Sequence, residues 1–264
     1  MRAAIIAIGD ELLTGRTLDY NSHWISKRLT GLGCDVIIKI VVPDDLNAII
    51  EAINFVLTKN VDLVVTTGGL GPTPGDLTLE AISKVVKREM KVNPDALNMV
   101  KERYQQLYYL GFVSSPEITK EREKMAILPE GSLPFYNPIG VAPAVLLRKG
   151  SVYIVALPGV PSEMMYLLEQ VLIHLSSEHR KIIVKTREEY IEARDESLLA
   201  KILEDVMKKF PAVYIKSYPL GFGEKVKMRV IGIVKANDAK EADSLLSKAF
   251  DYLRKKLQEE SDNL

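Results

Sequence analysis

Apolar residues follow two rhythms along the first two-thirds of the chain. The continuous aliphatic run Ala3 to Ile8 reads as a strand buried on both faces, the pattern of a parallel sheet, and Cys34 to Val42 and the β-branched and aliphatic Val61 to Thr67 read as the second and third strands. Between them, Trp24, Ile25, Leu29 and Leu32, and then Ile49, Ile50, Ile53, Val56 and Leu57, recur at helical spacing. The first helix starts near Asp19 to Ser22 and stops at Gly31 or Gly33; the second opens at Pro43-Asp44-Asp45. Such alternation predicts right-handed βαβ crossovers and an α/β fold, a mostly parallel sheet with helices on both faces. Further on, Asn93-Pro94-Asp95 caps a helix over Ala96 to Leu110, and a polar connection runs from Ser114 to Glu123. Met125 to Leu128 reads as a short strand, Ala144 to Leu147 and Val152 to Leu157 as a hairpin about Lys149-Gly150, and Met164 to Leu175 as a helix.

Near Ser176 the composition turns polar and the rhythm changes. Ile182 to Val184, Ser197 to Lys209, Ala212 to Tyr218, Lys225 to Val234 and Ala239 to Leu257 read as β-α-β-β-α. This divides the chain into an α/β domain over 1–175 and a small α+β domain over 176–264.

Composition narrows the class of function. With 264 residues, 47% of them hydrophobic, the chain can bury its core without covalent staples. Thirty-five basic residues balance 35 acidic ones, so no global charge points to a nucleic acid or a membrane surface. Cys34 is the only cysteine, which excludes an internal disulfide and a cysteine-rich zinc site. The first apolar run is cut short by Asp10 and Glu11 and reads as a strand, not as a signal peptide. A soluble cytoplasmic protein is expected.

The chemistry concentrates where the third strand ends. After Val61 to Thr67 comes Gly68-Gly69-Leu70-Gly71 and, soon after, a helical pattern. Consecutive glycine N–H groups and a following helix N-terminus form an anion cradle that needs no basic side chain. Thr73 is the expected N-cap of that helix, Pro74 its first residue and Asp76 the carboxylate that reaches back to the cap. Asp76 also has a second reading, as a metal ligand beside a bound phosphate. In such sheets ligands lie beyond the carboxyl ends of the strands, so Glu11, after the first strand, is expected beside the glycine loop. Pro158-Gly159-Val160-Pro161-Ser162-Glu163 is a further strand-to-helix junction at the same edge. For Glu11 the plain alternative is a surface carboxylate, for Asn137 the start of an Asn-Pro turn, and for Ser162 a helix cap.

Gly9-Asp10-Glu11-Leu12-Leu13, Thr66 to Thr73, Asn137-Pro138-Ile139-Gly140 and Pro158 to Met164, in this order, resemble the competence-damage-inducible (CinA) family. The first domain is also similar to the wider molybdopterin-binding fold, and the tail resembles the family's KH-like small domain. The resemblance implies metal-dependent hydrolysis of a nucleoside diphosphate-sugar pyrophosphate bond, as in ADP-ribose. It implies roles for Glu11 and Asp76 as catalytic, metal-holding carboxylates with Mg²⁺ or a similar divalent ion. Gly68, Gly69, Gly71 and Thr73 would form the phosphate loop, with Asn137, Gly159 and Ser162 at other edges of the pocket. Many relatives have an acidic residue where this chain has Gly75, which lowers the negative charge available to a metal. A homodimer is implied, and the chain ends too early for the amidase domain of longer members. The alternative function is a molybdopterin or nucleotide-phosphate binding module without turnover, or an adenylyl-transfer relative in cofactor assembly. Nucleic-acid binding through the KH-like tail is not expected, because Gly221-Phe222-Gly223 is not a GxxG loop.

Overall fold

A computed structural model describes residues 1–176, 183–193, 196–220, 226–236 and 238–262. Ile182, Lys225 and the Gly221-Phe222-Gly223 segment lie outside the described residues. The chain divides into two compact units, Met1–Thr30 with Cys34–His179, and Gly31–Gly33 with Arg180–Leu264.

In chain order the first unit runs β1 (Arg2–Ile8), α1 (Asp10–Leu13), α2 (Tyr20–Gly31), β2 (Asp35–Val42), α3 (Leu46–Leu57), β3 (Leu63–Thr67) and α4 (Thr78–Val86). It continues with β4 (Met90–Val92), α5 (Pro94–Tyr109), α6 (Lys120–Lys124), β5 (Ile127–Pro129), β6 (Leu133–Phe135), β7 (Ala144–Lys149), β8 (Val152–Leu157) and α7 (Pro161–Ser176). Six strands form one sheet in the order β2-β1-β3-β8-β7-β6; the first four are parallel, and β7 and β6 are antiparallel additions. β4 and β5 pair as a separate antiparallel ribbon.

The unbroken aliphatic run of β1 is explained by its two covered faces. Ala4, Ile6 and Ile8 pack into a core shared with α3 and α4, whereas Ala3 and Ile5 face a second core shared with α2 and α7. Every residue from Ala3 to Ile8 is buried, so either face would lose packing if a polar residue replaced one of them. Asp45 caps α3 by accepting from the Ala48 N–H (2.8 Å), and Asn93 caps α5 by accepting from the Ala96 N–H (3.0 Å). Part of the polar connection after Ser114 is helical, because Thr119 supplies a cap for α6.

The second unit holds β9 (Ile183–Ala193), α8 (Glu196–Lys209), β10 (Val213–Pro219), β11 (Val226–Ala236) and α9 (Ala239–Asp262). Its antiparallel sheet has the order β10-β11-β9. Met228 and Val230 are buried beside Phe250 and Leu253 of α9, whereas Lys227 is exposed, as the alternation along β11 requires. Among the described residues no helix is long and apolar enough to cross a membrane.

Two sequence expectations about the site loops need correction. The helix after the glycine loop does not begin at Thr73 and Pro74; it begins at Thr78, with Leu77 at the N-cap position and no side-chain cap. The Thr78 N–H donates to the Gly69 carbonyl (3.2 Å) and its hydroxyl to that of Gly68 (2.8 Å), which fixes the first helical turn there. Gly75 contributes no helix propensity that would extend it backwards. Residues 10–13, the polar stretch that follows the first strand, form the single helical turn α1 and not an extended loop.

Candidate functional site

The parallel strands β1, β3 and β8 lie side by side, with Ala7, Thr67 and Leu157 in register at their carboxyl ends. The three loops that leave them meet in a cavity of about 430 Å³. Ile8, Gly9 and Glu11 come from the first, Gly68 to Pro72 and Asp76 from the second, and Pro158, Gly159, Val160 and Glu163 from the third. Asp44 after β2 completes the acidic wall, while Tyr104, Met125, Val141 and Ala142 supply an apolar one.

The glycine loop takes its shape from backbone geometry. Gly68 and Gly69 have φ of 105° and 66°, in the region that side chains disfavour. A Cβ on Gly68 would stand 2.2 Å from the Ile8 carbonyl oxygen, so strand β1 and the loop touch only because no side chain is there. The Gly68 N–H is spent on the Leu157 carbonyl (3.0 Å). Among the described residues the next three N–H groups, of Gly69, Leu70 and Gly71, have no acceptor. Three adjacent unspent donors are the physical content of an anion nest.

Side chains hold the loops together. The Thr67 hydroxyl donates to the Pro158 carbonyl (3.0 Å), and the Asn21 amide donates to Thr67 Oγ1 (2.9 Å) and to the Gly159 carbonyl (2.8 Å). Asp76 Oδ2 accepts from the Thr73 N–H (2.8 Å) and hydroxyl (2.5 Å), closing a turn over 73–76. The reach back to Thr73 is therefore as the spacing predicts, although it caps a turn and not a helix. Lys124 donates to the Thr73 carbonyl and, with Lys84, lines an adjoining cavity of about 450 Å³ that shares Gly69, Leu70, Gly71 and Asp76.

Charge in the main cavity is one-sided. Glu11, Asp44, Asp76 and Glu163 line it, and among the described residues no lysine, arginine or histidine does. Burial, and then repulsion from Asp10, Glu11 and Asp76, push the Asp44 carboxyl above its ordinary value of 3.8, against the favourable Asp10 N–H that it accepts (3.1 Å). A raised folded-state value means that stability is fully present below pH 3.8 and is lost as pH rises through the shifted value. Asp44→Asn, whose carbonyl can still accept the Asp10 N–H, is therefore expected to raise the thermal midpoint at pH 7 in low salt. That gain should shrink with added salt and vanish in acid, which a pH series of melting curves checks.

Asn137 is placed differently from what the pocket expectation implies. It is 1% exposed and does not line the cavity; its Oδ1 accepts from the Ile139 and Gly140 N–H groups (3.1 and 2.9 Å). Its Nδ2 donates to the Ala142 carbonyl (2.9 Å) and to Glu163 Oε2 (2.6 Å), so it positions a residue that does line the cavity. Thr73 and Ser162 are exposed and outside the cavity lining; Ser162 is the second residue of α7, one position beyond Pro161. Glu11, Asp76, Gly68, Gly69, Gly71 and Gly159 are brought together in it.

Among the described residues no three His, Cys, Asp or Glu side chains are grouped so as to hold a metal ion. Asp76 already spends one oxygen on Thr73.

Comparison with known proteins agrees with the fold. Residues 4–177 match the family described as "Probable molybdopterin binding domain". A solved structure of the protein CinA, of unknown function, from Thermoplasma acidophilum is 36% identical with a TM-score of 0.60, covering 66% of this chain and 99% of that one. The chain is a CinA-family protein built on the molybdopterin-binding fold. Similarity extends beyond the first unit of this CinA-family chain. A protein of Pyrobaculum arsenaticum is 39% identical over 253 residues, 95% of this chain and 92% of its own length. One of Pyrococcus horikoshii is 38% identical over 254 residues, 96% of this chain and 95% of its own.

Proposed function

We propose that this CinA-family chain is a binding module for a small phosphate ester of a pterin or a nucleotide, held without hydrolysis. The observation that carries the reading is the run of three unspent N–H groups at Gly69, Leu70 and Gly71, at the end of a strand in a molybdopterin-binding domain. In a site where water is partly excluded, backbone donors hold a phosphate oxygen at no cost in reorganisation. Lys84, paired with Glu80 (2.9 Å), and Lys124 line the adjoining cavity on which the loop also borders. Residues 1–175 would carry this activity, with 176–264 as a separate small domain. The hydrolytic reading requires Glu11 and Asp76 to share a cation, and among the described residues no group of three such side chains is placed to hold one.

The test is equilibrium binding of GMP, a pterin phosphate and ADP-ribose, in chelator and with Mg²⁺ or Mn²⁺, with chromatography of the products. Saturable binding in chelator with no product is expected. AMP release from ADP-ribose that needs metal and is lost in Glu11→Ala and Asp76→Ala would return the hydrolase reading.

A further inference from the structure

Glu163 is the cavity carboxyl that a phosphate cradle leaves without a task. It stands on the first turn of α7 and lines the same cavity as Tyr104, Val141 and Ala142. One hydrogen bond and the space around it set its position. Asn137 donates to Oε2 at 2.6 Å, and that amide is itself held by every other polar group it can use. Gly140 leaves room for the carboxyl, since a Cβ there would lie 2.0 Å from Oε2. Arg103, 9% exposed, donates to the Gly140 and Ile139 carbonyls (2.7 and 3.0 Å), and so balances the charge without occupying it.

Among the described residues no donor other than Asn137 reaches this carboxyl. An ionised carboxylate accepts at about four sites, so most of its capacity is unspent. Burial pushes its value above the ordinary glutamate range, with Asn137 and Arg103 pulling the other way. A half-buried carboxylate in that condition gains most from two N–H donors arriving together.

We infer that Glu163 reads the donor edge of a 2-amino-4-oxo-pyrimidine ring, the edge common to pterins and guanine, and thereby selects the heterocycle of the bound phosphate ester. That edge presents a ring N–H and an amino N–H side by side, matching the two carboxylate oxygens. Adenine presents an amine beside a bare ring nitrogen, which would set a lone pair against the carboxylate. The flat ring would pack between Tyr104, Met125, Val141 and Ala142 while its phosphate reaches the glycine loop. This inference rests on the binding reading proposed above.

The experiment is calorimetric titration of the full chain with GMP, IMP, AMP, neopterin phosphate and pyrophosphate, on wild type and Glu163→Gln. IMP differs from GMP only by the missing amino group. Wild type is expected to bind GMP or neopterin phosphate about 10-fold or more tighter than IMP, and AMP more weakly still. Glu163→Gln should bring the GMP-to-IMP ratio within about 2-fold while leaving IMP affinity in place. Equal wild-type affinities for GMP and IMP overturn the inference with no variant needed. If pyrophosphate binds in that case, the cradle stands and only the edge reading fails. If none of the five binds, the cradle itself is overturned and the inference with it. The stronger of GMP and neopterin phosphate identifies the ring.

Discussion

Gly68→Ala is expected to destabilise the first unit by about 3 kcal/mol or more and to abolish ligand binding. Two costs act at once. The backbone is at φ 105°, which an L side chain adopts only under strain, and the added methyl would lie 2.2 Å from the Ile8 carbonyl oxygen. That oxygen belongs to the main chain of a buried strand, so it cannot rotate away as a side-chain end would. Relief requires moving the loop off β1, which breaks the Gly68 N–H bond to Leu157 and displaces the three unspent donors. Urea unfolding measures the first effect and pyrophosphate titration the second. Gly31→Ala is the control, because a Cβ there meets nothing within 4 Å and φ is ordinary for a helix; it should be neutral or slightly stabilising.

Asn137→Ala is expected to cost about 3 kcal/mol at neutral pH, more than a typical buried-to-alanine change in a loop. It removes both donors and both acceptor bonds of one buried amide, leaving the Ile139 and Gly140 N–H groups and the Glu163 carboxylate without their partner. Asn137 holds the Glu163 value down, so its loss raises that value further. The folded variant then takes up a proton more readily than the unfolded chain does. Its stability deficit should therefore narrow as pH falls toward the ordinary glutamate value of 4.5 and Glu163 becomes neutral. Denaturation midpoints of wild type and variant across pH 4 to about 8 would show the narrowing. A gap that stays constant would mean that the lost turn bonds, and not Glu163, dominate.

Most of the architecture was legible because burial writes itself into sequence. The runs at Ala3 to Ile8 and Leu63 to Thr67 are apolar or β-branched throughout, since both faces of the sheet are covered. Asn93 and Asp45 carry their caps openly. The start of α4 was not legible, because Thr-Pro-Gly-Asp satisfies the same local rules in a free-standing turn as at a helix end. Only the long-range hold of Thr78 on the carbonyls of Gly68 and Gly69 decides between them.

The site shows the same division. Glycines announce themselves, and Glu11 is readable from its place after the first strand. Asp44 and Glu163 carry no such mark, since beside Asp45 and Ser162 they look like ordinary acids at a helix start. What distinguishes Glu163 is a bond to a residue 26 positions away and the space left by Gly140. Asn21 is harder still. Its bridge from Thr67 to Gly159 spans three separate elements, and an asparagine in the first turn of a helix carries no mark of it.

The registration of Ala7, Thr67 and Leu157 at one sheet edge also bears on how this site can change over generations. Spacing among the three strand ends is set by main-chain pairing, which is indifferent to side-chain identity, and only a few side chains, Thr67 and Asn21 among them, tie the loops beyond it. A substitution in one loop can therefore alter what is recognised while the other two keep their places. Specificity at such an edge is open to change in single steps, with the frame inherited intact.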